Sequence, residues 1–136
     1  MYQKNIDKVK IHEKTFPLEL FDICDGVVTE INSKISQYWE TNNQNGLSID
    51  NYEIVRWPVN SFQQSHYDHV HNVYGIIVYL NSNFLGGNTC FYPNIKITPE
   101  TGKLLAFSGS KILHWVESVR NYDRYTLAYW FNQIKK

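Results

Sequence analysis

The strongest constraint on the fold is the punctuation of the chain after residue 50. Short segments rich in β-branched and aromatic residues alternate there with turn residues at close intervals. The segments are 51–57, 63–70, 72–81, 88–93, 94–99, 103–109, 112–119 and 124–133. Between them stand Pro58 with Asn60, Gly86 with Gly87, Pro93 with Asn94, Pro99 to Gly102, and Asn121 to Asp123, residues that supply turn backbone angles. Valine, isoleucine, tyrosine and tryptophan fit a pleated, half-buried surface. About eight short, evenly spaced strands predict a sandwich or barrel.

The first third reads differently. Val9, Ile11 and Glu13 alternate with Lys10, His12 and Lys14, which predicts a short strand within 1–16. From Pro17 to Glu40 the period lengthens, and Ile23, Val27, Ile31, Ile35 and Tyr38 recur at helical spacing. One or two helices covering a sheet are predicted over 18–40. Residues 41–50 are polar and read as a loop. The expected class is mainly β with N-terminal helices (α+β), in one domain over 1–136, with helical support about 17–40 and a β core about 50–133.

Composition narrows the partners. A formal charge of zero at pH 7 argues against nucleic acid, whose binders rely on phosphate neutralisation. Cys24 and Cys90 are too few for a disulfide scaffold. No stretch has the length of a membrane span or the pattern of a signal peptide. A cytoplasmic monomer that binds neither nucleic acid nor membrane is the expectation.

Chemistry concentrates in the run Ser65 to His71. Successive strand residues point to opposite faces, so His66 and Asp68 share one face while Tyr67, His69 and His71 share the other. An imidazole and a carboxylate two apart can reach one metal ion, and His114, with Ile112 and Val116 on its face, can supply a third ligand. Two histidines and one carboxylate leave coordination positions open, as a non-haem iron(II) oxygenase requires. A buried His–Asp hydrogen bond accounts equally well for the first pair, and a surface cluster built on His69 and His71 is another reading.

Two further residues point to a bound acid. Arg124 shares a strand face with Thr126, Ala128 and Trp130, while the bulkier Tyr125, Leu127, Tyr129 and Phe131 occupy the other. A buried guanidinium needs an anionic partner, the small neighbours leave room for one, and its fork matches a carboxylate. A structural salt bridge or an exposed arginine at a strand start would serve as well. Tyr79, in a strand apolar on both faces, needs a hydrogen-bond partner. That partner is either the same ligand or backbone.

In order, His66-Tyr67-Asp68, the IIVYLN strand, LGGNTCFYP, PETGKLLAF, His114 and Arg124 in RYTLAYWF resemble the prolyl 4-hydroxylase branch of the iron(II)/2-oxoglutarate dioxygenases. The resemblance spans roughly 50–132. It implies a double-stranded β-helix, the jelly-roll or cupin-like core. It also implies iron ligation by His66, Asp68 and His114, and binding of the distal 2-oxoglutarate carboxylate by Arg124 with help from Tyr79. Trp130 matches an aromatic near the substrate mouth and with Thr126 is counted among the cofactor-binding residues, and Thr89 and Trp57 are expected to line the pocket. Trp57 stands where relatives often carry tyrosine, so a hydroxyl contact is absent there. The cofactors implied are Fe(II), 2-oxoglutarate and dioxygen, with ascorbate as reductant. Halogenating relatives lack the carboxylate ligand, so Asp68 favours hydroxylation.

The resemblance makes a proline-containing peptide or protein the first choice of substrate, because a short chain has few insertions to form a closed lid. Nucleic-acid demethylases of this fold carry a second arginine six residues after the first, where this chain has Trp130. A free amino acid or other small molecule is the second choice. A non-catalytic β-sandwich binding module is the alternative outside enzymes.

Overall fold

In the computed structural model the described residues are 11–15 and 47–133. They form eleven strands: β1 (His12–Thr15), β2 (Leu47–Trp57), β3 (Gln63–His66), β4 (Tyr74–Tyr79), β5 (Leu85–Gly86), β6 (Thr89–Phe91), β7 (Ile95–Ile97), β8 (Lys103–Phe107), β9 (His114–Val116), β10 (Val119–Arg120) and β11 (Arg124–Gln133). The helices expected over 17–40 lie outside the described residues.

The strands assemble into a five-stranded sheet in the order β1-β8-β4-β11-β2, a four-stranded sheet in the order β3-β9-β6-β7, and a small β10-β5 pair. Every pairing is antiparallel. Two core clusters follow from the alternation along the central strands. Tyr74, Ile76 and Val78 of β4 join Leu127, Tyr129 and Phe131 of β11 on one face of the large sheet. Tyr79 joins Leu105, Phe107, Phe91 and Ile112 in the other cluster, which draws on both sheets. Burying one large apolar side chain contributes roughly 1.5–3 kcal/mol, so these faces fix the register. Shifting a strand by one residue would carry its apolar set to the wrong side.

Two expectations need correction. Residues 47–50 are not loop. They open β2, where Leu47, Ser48 and Ile49 pair with Gln133, Asn132 and Phe131, and a bulge at Trp130/Phe131 absorbs the register change. The β core therefore begins at 47 rather than 50. The segment expected over 63–70 stops at His66, and the chain turns where Asn72 N–H donates to the His69 carbonyl at 2.9 Å. At the far end of β2, Asp123 accepts from Arg56 Nε at 2.9 Å and from Val59 N–H at 3.0 Å. This fastens the β2 exit to the start of β11.

Candidate metal and anion site

The pairing of β3 with β9 sets His66 directly opposite His114, with ring centroids 4.3 Å apart. Each ring is oriented by its own strand. His66 Nδ1 lies 2.9 Å from the Gln64 carbonyl and His114 Nδ1 lies 2.9 Å from the Ile112 carbonyl. A carbonyl oxygen only accepts, so each Nδ1 carries the hydrogen and each Nε2 is left with its lone pair. Both Nε2 atoms lie near one carboxylate oxygen: Asp68 Oδ1 is 3.5 Å from His66 Nε2 and 3.3 Å from His114 Nε2. One ligand atom from each of the three residues falls within 4.8 Å of the others. Edge contact from Phe107, centroid 5.1 Å away, holds the His114 ring from the core side. His69 and His71 take no part. Both are exposed and they stack on each other at 4.7 Å.

A cavity of about 290 Å³ connects this cluster to Arg124. Arg124, Thr126, Ala128 and Trp130 all line it, while Leu127, Tyr129 and Phe131 belong to the core cluster of the large sheet. Glu53, Val55 and Trp57 of β2 continue the wall, paired across the strands with Ala128, Thr126 and Arg124.

Arg124 is 1% exposed. Its Nε donates to the Gly87 carbonyl at 3.0 Å and its Nη2 to Thr89 Oγ1 at 3.1 Å. The guanidinium carbon lies 4.8 Å from the Trp57 ring centroid and 5.2 Å from that of Tyr79. No carboxylate of the described residues forms a salt bridge with it, and burial pulls its pKa below the usual arginine value. A buried charge costs several kcal/mol, whereas each hydrogen bond to a charged group returns about 1.5–3 kcal/mol. These bonds and the two aromatic faces offset much of that cost, and the charge, which no carboxylate of the described residues neutralises, suits an anionic ligand. The Trp57 indole Nε1 is also buried without a hydrogen-bond partner. An acidic ligand in this cavity suits the guanidinium.

The turn from β5 to β6 explains how Arg124 is held. Gly86 and Gly87 both have positive φ, 66° and 60°, a region that side chains rarely enter. This backbone aims the Gly87 carbonyl at Arg124 and delivers Thr89 to its other side. Thr89 is 0% exposed and its hydroxyl also bonds Tyr79 OH. Tyr79 itself does not line the cavity: its phenol stands behind Thr89, and burial pushes its pKa up. The sequence reading ranked Tyr79 as a ligand contact and Thr89 only as pocket lining; the structure reverses their nearness to the cavity. The signal was the threonine two residues past the glycine pair. Thr89→Val keeps the shape but removes one bond from the phenol and one from the guanidinium, which retains its bond to Gly87, and each such bond contributes about 0.5–1.5 kcal/mol net. The variant is expected to melt several degrees lower in differential scanning calorimetry, and an unchanged melting temperature would show that the bridge carries no energy.

A cluster able to hold one metal ion is joined by a cavity to a buried cation that no carboxylate of the described residues neutralises, an arrangement suited to a metal-dependent enzyme that acts with an acidic cosubstrate. A family model described as the 2OG-Fe(II) oxygenase superfamily matches residues 49–132, and the chain belongs to that superfamily. Its fold is similar to that of the viral collagen prolyl hydroxylase of Paramecium Bursaria Chlorella virus-1, solved with 2OG. Identity there is 16%, covering 99% of this chain and 89% of that one, with a TM-score of 0.64. A Pseudomonas putida prolyl-4-hydroxylase matches at 15% identity over 97% of this chain and 94% of that one, with a TM-score of 0.67. A 2OG-Fe(II) oxygenase-family oxidoreductase from Burkholderia pseudomallei matches at 20% identity over 79% of this chain, with a TM-score of 0.63, and the match spans 58% of that protein's length. No curated protein matches the sequence. The paired antiparallel sheets are consistent with the double-stranded β-helix of these oxygenases. Among the described residues no helix is long and apolar enough to cross a membrane.

Proposed function

We propose that this chain hydroxylates prolyl residues of a peptide or protein, with iron(II) held by His66, Asp68 and His114 and the distal carboxylate of 2-oxoglutarate held by Arg124. The observation that carries the reading is the shared cavity, in which a cluster of two imidazoles and one carboxylate is joined to a buried arginine that no carboxylate of the described residues neutralises. The donor set suits the metal, since two neutral nitrogens and a carboxylate are the ligands of non-haem iron(II) oxygenases. When bound with 2-oxoglutarate and dioxygen, iron supplies the oxidising power that converts the cosubstrate to succinate and carbon dioxide and adds one oxygen atom to a substrate C–H bond.

The chain's residues supply position and shelter. His66 and His114 present fixed lone pairs because their Nδ1–H groups are anchored to backbone. Arg124 sets the orientation of the cosubstrate, and Thr89 and Gly87 set the orientation of Arg124. Phe107 and Val116 form apolar wall near the cluster.

Volume supports a peptide. Small-molecule pockets commonly span about 300–1,000 Å³, and this cavity of about 290 Å³ must also take 2-oxoglutarate. A substrate that inserts one residue and leaves the remainder outside fits best. The fold's likeness to two prolyl hydroxylases across nearly their whole length supports the same class. Ascorbate is the expected reductant.

The test is direct. Purified chain with iron(II), 2-oxoglutarate, ascorbate and a proline-rich peptide should yield succinate and a peptide heavier by one oxygen atom, in equal amounts. Succinate with free proline or another small acceptor and none with peptide would move the assignment to a small-molecule hydroxylase. Neither product from folded, iron-loaded protein would overturn the reading.

A further inference from the structure

Asp68 lies beyond the end of β3, yet its carboxylate meets both imidazoles. Backbone on the opposite side of the site explains this. The Asp68 N–H donates to the Gly109 carbonyl at 3.0 Å, which binds the ligand-bearing segment to the turn between β8 and β9. That turn is itself fixed. Ser108 Oγ donates to the Val73 carbonyl at 2.9 Å, and the Ser108 carbonyl accepts from Lys111 N–H at 3.0 Å and Ile112 N–H at 3.2 Å.

Space at Gly109 is the decisive quantity. A Cβ there would stand 2.0 Å from Asp68 Oδ2, 2.7 Å from its Cγ and 3.2 Å from His114 Cε1. Real Cβ atoms do not come within 3.0 Å of such atoms. Gly109 is not among the glycines with positive φ, so its backbone would accept an L-residue. What a side chain at 109 meets is the carboxylate. Gly75 flanks the same carboxylate from β4, but a Cβ there would be 3.4 Å from Oδ2, an ordinary contact.

We infer that Gly109 is a positioning residue for the metal centre: its carbonyl anchors the Asp68 backbone, and its missing side chain is the space in which the carboxylate turns toward the two imidazoles. The inference rests on Asp68 being a metal ligand, and the test keeps the two claims apart.

Metal binding is measured without turnover, by titrating Co(II) and Mn(II) into wild type, Asp68→Ala, Gly109→Ala, Gly75→Ala and the Asp68→Ala/Gly109→Ala double variant, alongside melting temperatures. Outer-sphere changes that disorient a ligand typically cost ~10–100-fold in metal affinity, and Gly109→Ala should fall in that range. Gly75→Ala should stay within about threefold of wild type, because its added methyl meets no atom closer than an ordinary contact. In the Asp68→Ala background the second change should cost about threefold or less, the share left to the 3.2 Å contact with His114 Cε1, since the displaced carboxylate is gone and the two effects are not independent. Should Gly109→Ala fail to fold, Asp68→Ala must restore folding, because the collision is with that carboxylate. Wild-type affinity in Gly109→Ala, an equal loss in Gly75→Ala, additive losses in the double variant, or no rescue of folding would each overturn the role of Gly109. Failure of Asp68→Ala itself to weaken binding would instead overturn the ligand assignment.

Discussion

Asp68→Ala is expected to abolish turnover while leaving a folded chain. Asp68 Oδ1 is the meeting point of both Nε2 atoms, so its removal takes the one anionic donor from the cluster. The loss in kcat/KM should exceed the ~10–100-fold that changes behind a ligand produce, because here the ligand itself is gone. The fold should survive. The carboxylate lies outside the strands, its backbone hydrogen bond to Gly109 remains, and His66 and His114 keep their carbonyl anchors. Circular dichroism and the melting temperature check the fold, and succinate formation checks the chemistry. Turnover near the wild-type rate would show that the metal is held elsewhere.

Arg124→Met should have two effects of opposite sign. A buried cation that no carboxylate of the described residues neutralises is a burden on the ligand-free protein, and its desolvation cost of several kcal/mol disappears when an apolar side chain replaces it. The ligand-free melting temperature should therefore hold or rise, even though the bonds to Gly87 and Thr89 are lost. Cosubstrate binding should collapse, since truncating one partner of a buried charged pair costs about 2–5 kcal/mol, equivalent to roughly 30-fold or more in KM for 2-oxoglutarate. Titration calorimetry and scanning calorimetry read the two effects separately. A lower melting temperature with unchanged affinity would mark Arg124 as a structural cation.

The part of the site visible in the sequence was the part written in strand parity. From 124 to 131 the charged and small residues alternate with bulky ones, and that alternation placed Arg124, Thr126 and Trp130 in the cavity and Leu127, Tyr129 and Phe131 in the core. The same parity separated His66 and Asp68 from His69 and His71. It worked for Asp68 although the strand ends before it, because the Asp68 N–H bond to the Gly109 carbonyl fixes this residue against the turn that leads into β9. What escaped depends on neighbours distant in sequence. Leu47 to Asp50 read as polar loop because nothing local shows the pairing partner that β11 provides. The β5–β10 pair has two residues per strand, too few to carry a period. Gly109 looks like any turn glycine until Asp68 is placed against it. Tyr79 illustrates the limit of residue type: the need for a hydrogen-bond partner was legible, but that Thr89 meets it was not.

The proposed function requires one reaction, oxidative decarboxylation of 2-oxoglutarate at the His66–Asp68–His114 cluster. Release of labelled carbon dioxide from 2-oxoglutarate radiolabelled in the carboxyl group beside its keto group measures it most directly. Wild-type protein with iron(II), air and proline-rich peptide should release label, stop when the metal is chelated, and resume when iron(II) is restored. Asp68→Ala should release none above background. A folded, iron-loaded wild-type chain that releases no label with peptide or with small-molecule acceptors, or an Asp68→Ala variant that releases it at the wild-type rate, would contradict the account.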